Sequence, residues 1–192
     1  GVVLLFLLGI AFGSAAVKTL SQAQISDLNN YLKNFYRSLP EDLAGVNRHA
    51  LAVRAAADNI IKLGGLVWVL GLTIIGIPLI LGIIFVRGFV LGFTVGFMIS
   101  RLEFNGVLVA AASLLPHNLL LVPALIIAAT TAISFAISAV KTLIGTSERS
   151  IVNQFLATTI IIVFSSGLLA LASLVELYIT PILMRLSSRL IL

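Results

Sequence analysis

Ser113 and His117 stand four residues apart, the helical spacing that brings a hydroxyl and an imidazole onto one face. Nucleophilic chemistry from such a pair also needs a group to orient the base and donors for an oxyanion, and neither is visible nearby. A metal centre needs three or four ligands, and His117 has no second ligand at helical spacing. The chain has no HExxH, no paired carboxylates and no Walker sequence. The reading is therefore of no catalytic residue, no metal and no cofactor. Pro116, His117 and Asn118 are expected instead to satisfy backbone groups where a helix breaks. Glu103 and Glu176 are the acidic residues nearest the apolar core, with Arg87, Arg101 and His117 as candidate partners.

A second pattern is "RGFVLGFTVGF", residues 87 to 97, with glycine at 88, 92 and 96 and phenylalanine at 89, 93 and 97. Phosphate-cradling glycine motifs need a strand-to-helix turn and a different spacing. Four-residue spacing in an apolar run instead stacks Gly88, Gly92 and Gly96 on one helical face, a glycine zipper open to close backbone approach. Ala124, Ala128, Ala132 and Ala136 repeat the same period. The expectation is that these two small faces pack together, within one chain or across a homodimer, with a pore-lining role as the competing reading.

These residues sit in a chain of 192 residues that is 60% hydrophobic and only 10% charged. Its mean hydropathy is +1.18. Soluble domains carry about a quarter charged residues, so the composition specifies an integral membrane protein. The formal charge of +5 is spread over short segments, which fits membrane flanks and argues against nucleic acid as a partner. There is no cysteine. The fold class expected is an all-α polytopic membrane helical bundle of about five spans, forming a single domain over 1–192.

Span 1 is assigned to residues 1–20, with residues upstream of Gly1 expected to complete it. Gly9, Gly13, Ser14 and Ala15 imitate a signal-peptide cleavage region, but the later spans make an ordinary first helix sufficient. Residues 21–62 read as an amphipathic helical hairpin at the membrane surface, started by a capping box at Ser21 and Gln24 and restarted at Ser38–Glu41. Span 2 covers 63–86 and is expected to kink at Pro78. Arg87 then marks an interfacial turn into a broken span or re-entrant region, 88–118. Spans at 119–140 and 155–180 follow, and the tail with Arg185 and Arg189 reads as interfacial.

Four blocks in order resemble the stage II sporulation protein M family: "DNIIKLGGLVWVLGLTIIGIPLI", "RGFVLGFTVGF", "LLPHNLLLVPALIIA" and "VELYITPILM". The matching positions are Asn59, Gly76, Pro78, Gly88, Gly92, Gly96, Pro116, His117, Asn118, Pro123, Glu176, Thr180 and Pro181. The resemblance implies a multi-pass protein of the bacterial cell membrane, acting in the mother cell's engulfing membrane during endospore formation. It implies a non-enzymatic scaffold whose partners, besides membrane lipid, are two membrane-anchored peptidoglycan hydrolases, stage II sporulation proteins D and P. A transporter or channel component is the alternative, suggested by Pro78 and the interrupted 88–118 region. The resemblance also implies a cytoplasmic N-terminus with residues 21–62 and the tail outside. The positive-inside count points the other way, because Lys18, Lys33, Arg37, Arg48, Arg54, Lys62, Arg101, Arg185 and Arg189 share that side.

Overall fold

The computed structural model describes residues 1–31, 48–145, 150–179 and 182. Residues 32–47 of the 21–62 hairpin, the loop around Glu148, Thr180, Pro181 and the tail with Arg185 and Arg189 lie outside the described residues. Residues 101–113 are described as backbone only, so the side chains of Arg101, Glu103 and Ser113 do too.

The described chain is all-α. Helix α1 is Val2–Ala16, closed by a 3₁₀ turn at Val17–Thr19. Residues 22–31 form α2. Its start is a capping box: the Gln24 amide donates to Ser21 Oγ (3.3 Å) while the Ser21 amide donates to Gln24 Oε1 (2.9 Å). Helix α3, Arg48–Asn59, passes into a π-helical stretch, Ile60–Gly65, and then into α4, Leu66–Gly71. After a four-residue turn, α5 runs Gly76–Leu143 and α6 runs Ile151–Tyr178. Helix α5 ends in a left-handed residue, Gly145 at φ 77°, which glycine adopts without steric cost.

Helix α5 is not one rod. Its residues Arg87, Val90, Leu91 and Thr94 wall the same cavity as its residues Leu114, His117, Asn118 and Leu121. A straight helix would hold Arg87 and His117 about 45 Å apart. The chain therefore reverses between Thr94 and Leu114, giving two antiparallel limbs that contain the apolar stretches Gly76–Ser100 and Leu114–Leu143. Together with α1 and α6, these limbs are the four described helices long and apolar enough to cross a membrane. Helices suit that solvent because they satisfy their own backbone groups.

A fifth passage follows from direction. Phe6 faces Gly88, Ile10 faces Gly92 and Ser14 faces Gly96, so α1 and the first limb of α5 run parallel. The chain must then return the length of that limb between Thr19 and Gly76. The segment α3–π–α4, about 35 Å long, is the described element that makes the return. It runs antiparallel to α6: Asn59 meets Ser173, Gly64 meets Ser166 and Trp68 meets Thr159. Its N-terminal part is charged, with Asp58 and Lys62 paired at 3.0 Å in the exposed i,i+4 arrangement. Cysteines placed at Thr19 and at Ile75 should label from opposite sides of an intact membrane, and Gly145 should share the side of Ile75. The orientation implied by the resemblance adds that Thr19 is external. Labelling of Thr19 and Ile75 from one side would overturn the return passage.

The core lies where α4, both limbs of α5 and α6 meet, around Val67, Ile80, Ile84, Leu121, Leu125 and Leu169. Three expectations are corrected here. Arg87 is not an interfacial turn between spans 63–86 and 88–118; it lies within the first limb of α5, and the break falls earlier, at residues 72–75. Pro78 does not kink a span, because it occupies the first turn of α5, where its missing N–H would have had no intrahelical acceptor. The bend sits before Gly76 because that glycine packs on the Leu70 backbone, where a Cβ would collide. Nor does the helix break at "LLPHN": Pro116 and Pro123 are both inside α5. The gaps they leave are tolerated in a membrane helix when neighbouring helices and side chains re-satisfy the backbone.

Candidate functional site

The polar and small residues of the sequence resolve into three contacts between helices. The first is the glycine row. Gly88 and Gly92 are buried, and a Cβ on either would strike the α1 backbone at Phe6 or Ile10. Gly96 is packed against Ser14 Cα, 3.1 Å from where its Cβ would be. The contact is reciprocal, since Gly9 and Gly13 of α1 would in turn strike the backbone at Phe85 and Phe89. Glycine thus faces glycine, the arrangement in which parallel helices approach most closely. Phe85, Phe89, Phe93 and Phe97 form a ladder beside the seam, with successive ring centroids 6.3–6.5 Å apart.

The expectation that the glycine and alanine rows pack together is corrected. Ala124, Ala128, Ala132 and Ala136 are buried on a different face of the bundle. Ala132 opposes Gly71 of α4, whose added Cβ would lie 2.7 Å from the alanine methyl. Gly9 and Gly13 carried the legible signal: they have the same four-residue period as the row they meet, although the sequence around them also imitates a cleavage region.

The second contact ties α3 and α4 to α6. Asn59 Nδ2 donates to Ser173 Oγ at 2.7 Å, and that hydroxyl has the Leu169 carbonyl (3.1 Å) and the Ala55 carbonyl (3.4 Å) as acceptors. Ser173 is fully buried, so Asn59 supplies a donor that hydrocarbon cannot. Trp68 Nε1 donates to Thr159 Oγ1 at 3.2 Å. Sequence reasoning singled out Asn59 but not Ser173, Trp68 or Thr159, because nothing in a linear pattern links positions 114 residues apart.

The third contact joins the second limb of α5 to α6. His117 Nδ1 lies 3.3 Å from Glu176 Oε2 and 3.2 Å from the Ala172 carbonyl. A carbonyl and a carboxylate both accept, so the proton belongs on Nδ1. Asn118 Nδ2 turns back to the Leu114 carbonyl at 2.8 Å. His117 and Asn118 wall a cavity of about 180 Å³ together with Arg87, Thr94, Glu176 and Phe6 of α1. Pro123 is exposed on the outer surface of its limb. Among the described residues there is no group of three His, Cys, Asp or Glu that could hold a metal ion.

Parallel glycine packing, intramembrane hydrogen bonds between side chains and four long apolar helices define a polytopic helical membrane protein. The family described as stage II sporulation protein M matches residues 2–181. The chain belongs to that family and is a sporulation-related membrane protein. No curated protein and no solved structure matches it.

Proposed function

We propose that the chain is a non-enzymatic scaffold that gathers peptidoglycan hydrolases in the mother cell's engulfing membrane during endospore formation. Its family membership supports a role in sporulation, and the family is not a known enzyme family. The observation that carries the reading is the use made of the bundle's polar groups. His117, the histidine among the spans, is held by Glu176 and a backbone carbonyl of α6. Asn59, Ser173, Trp68 and Thr159 bond helix to helix. Such groups fix a frame and leave the chemistry to partners.

The partners proposed are membrane-anchored wall hydrolases of the classes named by the resemblance, stage II sporulation proteins D and P. Affinity-tagged full chain, purified from membranes of engulfing cells, should bring both hydrolases with it. Recovery of the chain free of either hydrolase, in a detergent that preserves membrane complexes, would sink the reading.

A further inference from the structure

Arg87 stands apart from the three contacts. It is half-buried in the wall of the 180 Å³ cavity. Among the described residues its guanidinium makes no hydrogen bond, and the only described His/Lys/Arg ion pairs to acidic groups are Lys62–Asp58 and His117–Glu176. Glu176 is close enough for its charge to act on Arg87, but it lies beyond ion-pair distance and is engaged by His117. Thr94 donates to the Val90 carbonyl of its own helix and Asn118 to the Leu114 carbonyl, and among the described residues neither accepts a hydrogen bond from Arg87. A guanidinium inside a membrane bundle is costly without an acceptor, and such residues are functional by default.

The helices are staggered at this level. Arg87 lies midway along the stretch Gly76–Ser100 of α5, yet it is level with Glu176, two residues before the end of α6. The cavity lies beside the C-terminal end of α6, and Phe6, Leu121 and Val122 also line it.

We propose that Arg87 anchors a site for a phosphate group, supplied by a phospholipid headgroup or by free phosphate. The planar fork of donors matches two oxygens of such an anion. His117 serves the site by holding Glu176 away from Arg87, so carboxylate and phosphate compete for one guanidinium. This assigns opposite signs to the two charges: Arg87 attracts the ligand and Glu176 repels it.

The test uses the purified full chain in a sugar-based detergent. Phosphatidylglycerol, inorganic phosphate or the phosphate-free lipid diacylglycerol is added, and native mass spectrometry and the melting midpoint are read. Binding and stabilisation are expected with a phosphate-bearing probe and not with diacylglycerol. Response to phosphatidylglycerol alone assigns the lipid source, and response to inorganic phosphate assigns the free anion. Arg87→Gln should weaken binding by about tenfold or more, the loss of a charge-assisted pair, whereas Glu176→Gln should tighten it. Arg87→Lys keeps the charge without the fork and should bind between wild type and Arg87→Gln, which preserves the test if the glutamine variant misfolds. No binding of either phosphate probe, equal binding of diacylglycerol, or the same weakening in Arg87→Gln and Glu176→Gln would overturn the proposal.

Discussion

Gly92→Leu should release α1 from the bundle. The glycine is buried, and even a single Cβ there would meet the Ile10 carbonyl oxygen, backbone that cannot rotate away. Leucine adds three further carbons at the centre of a seam that has glycine on both sides. Overpacking a tight contact costs about 1–3 kcal/mol when neighbours can yield, and here the neighbour is the main chain. In bilayers the close fit is also what drives association, since lipid tails are as apolar as leucine. The expected result is a melting midpoint lowered by many degrees in detergent and new protease sensitivity around residues 17–31. Gly82→Leu is the control. Gly82 lies on the same limb of α5, but an added Cβ would meet nothing within 4 Å, so this variant should melt like the wild type. Similar behaviour of the two variants would show that the glycine seam is not a close contact.

Ala132→Leu carries the second large effect. Ala132 is fully buried, and its methyl fills the space left by Gly71 in α4. Leucine there would push α4 off the second limb and strain the Trp68–Thr159 and Asn59–Ser173 bonds along the same passage. A loss of about 1–3 kcal/mol is expected from overpacking, with the oligomeric state unchanged because the contact lies within one chain. Sedimentation and thermal melting read the two quantities separately. A change of oligomeric state without loss of stability would place the alanine row at an interface between copies instead.

Much of the frame was legible before any coordinates. Scarcity of charge specified the membrane, and the membrane made helices obligatory. The capping box at Ser21 and Gln24 and the glycine row at 88, 92 and 96 depend on neighbours within one turn, so a linear pattern reveals them. Arg87 misled because a lone charge in an apolar run ordinarily marks an interface. Here the apolar run continues through it, and the real break at residues 72–75 contains only Leu72, Thr73, Ile74 and Ile75, with no turn signal but threonine. Pro78 misled for a related reason: whether a proline kinks a helix or begins one depends on where the helix starts.

The sequence by itself determined the solvent, the all-α class and which residues are small enough for close packing, because these follow from composition and from periods of three to four residues; the family came from the resemblance of four ordered blocks. Only the tertiary structure decided what each small or polar face meets. Gly9 and Gly13, rather than the alanine row, receive the glycine row; Ser173 receives Asn59; Glu176 receives His117 and leaves Arg87 facing a cavity. The physical reason is that an apolar helix has no preferred partner in hydrocarbon until backbones can approach closely and buried donors find acceptors, and both conditions depend on register between segments far apart in the chain.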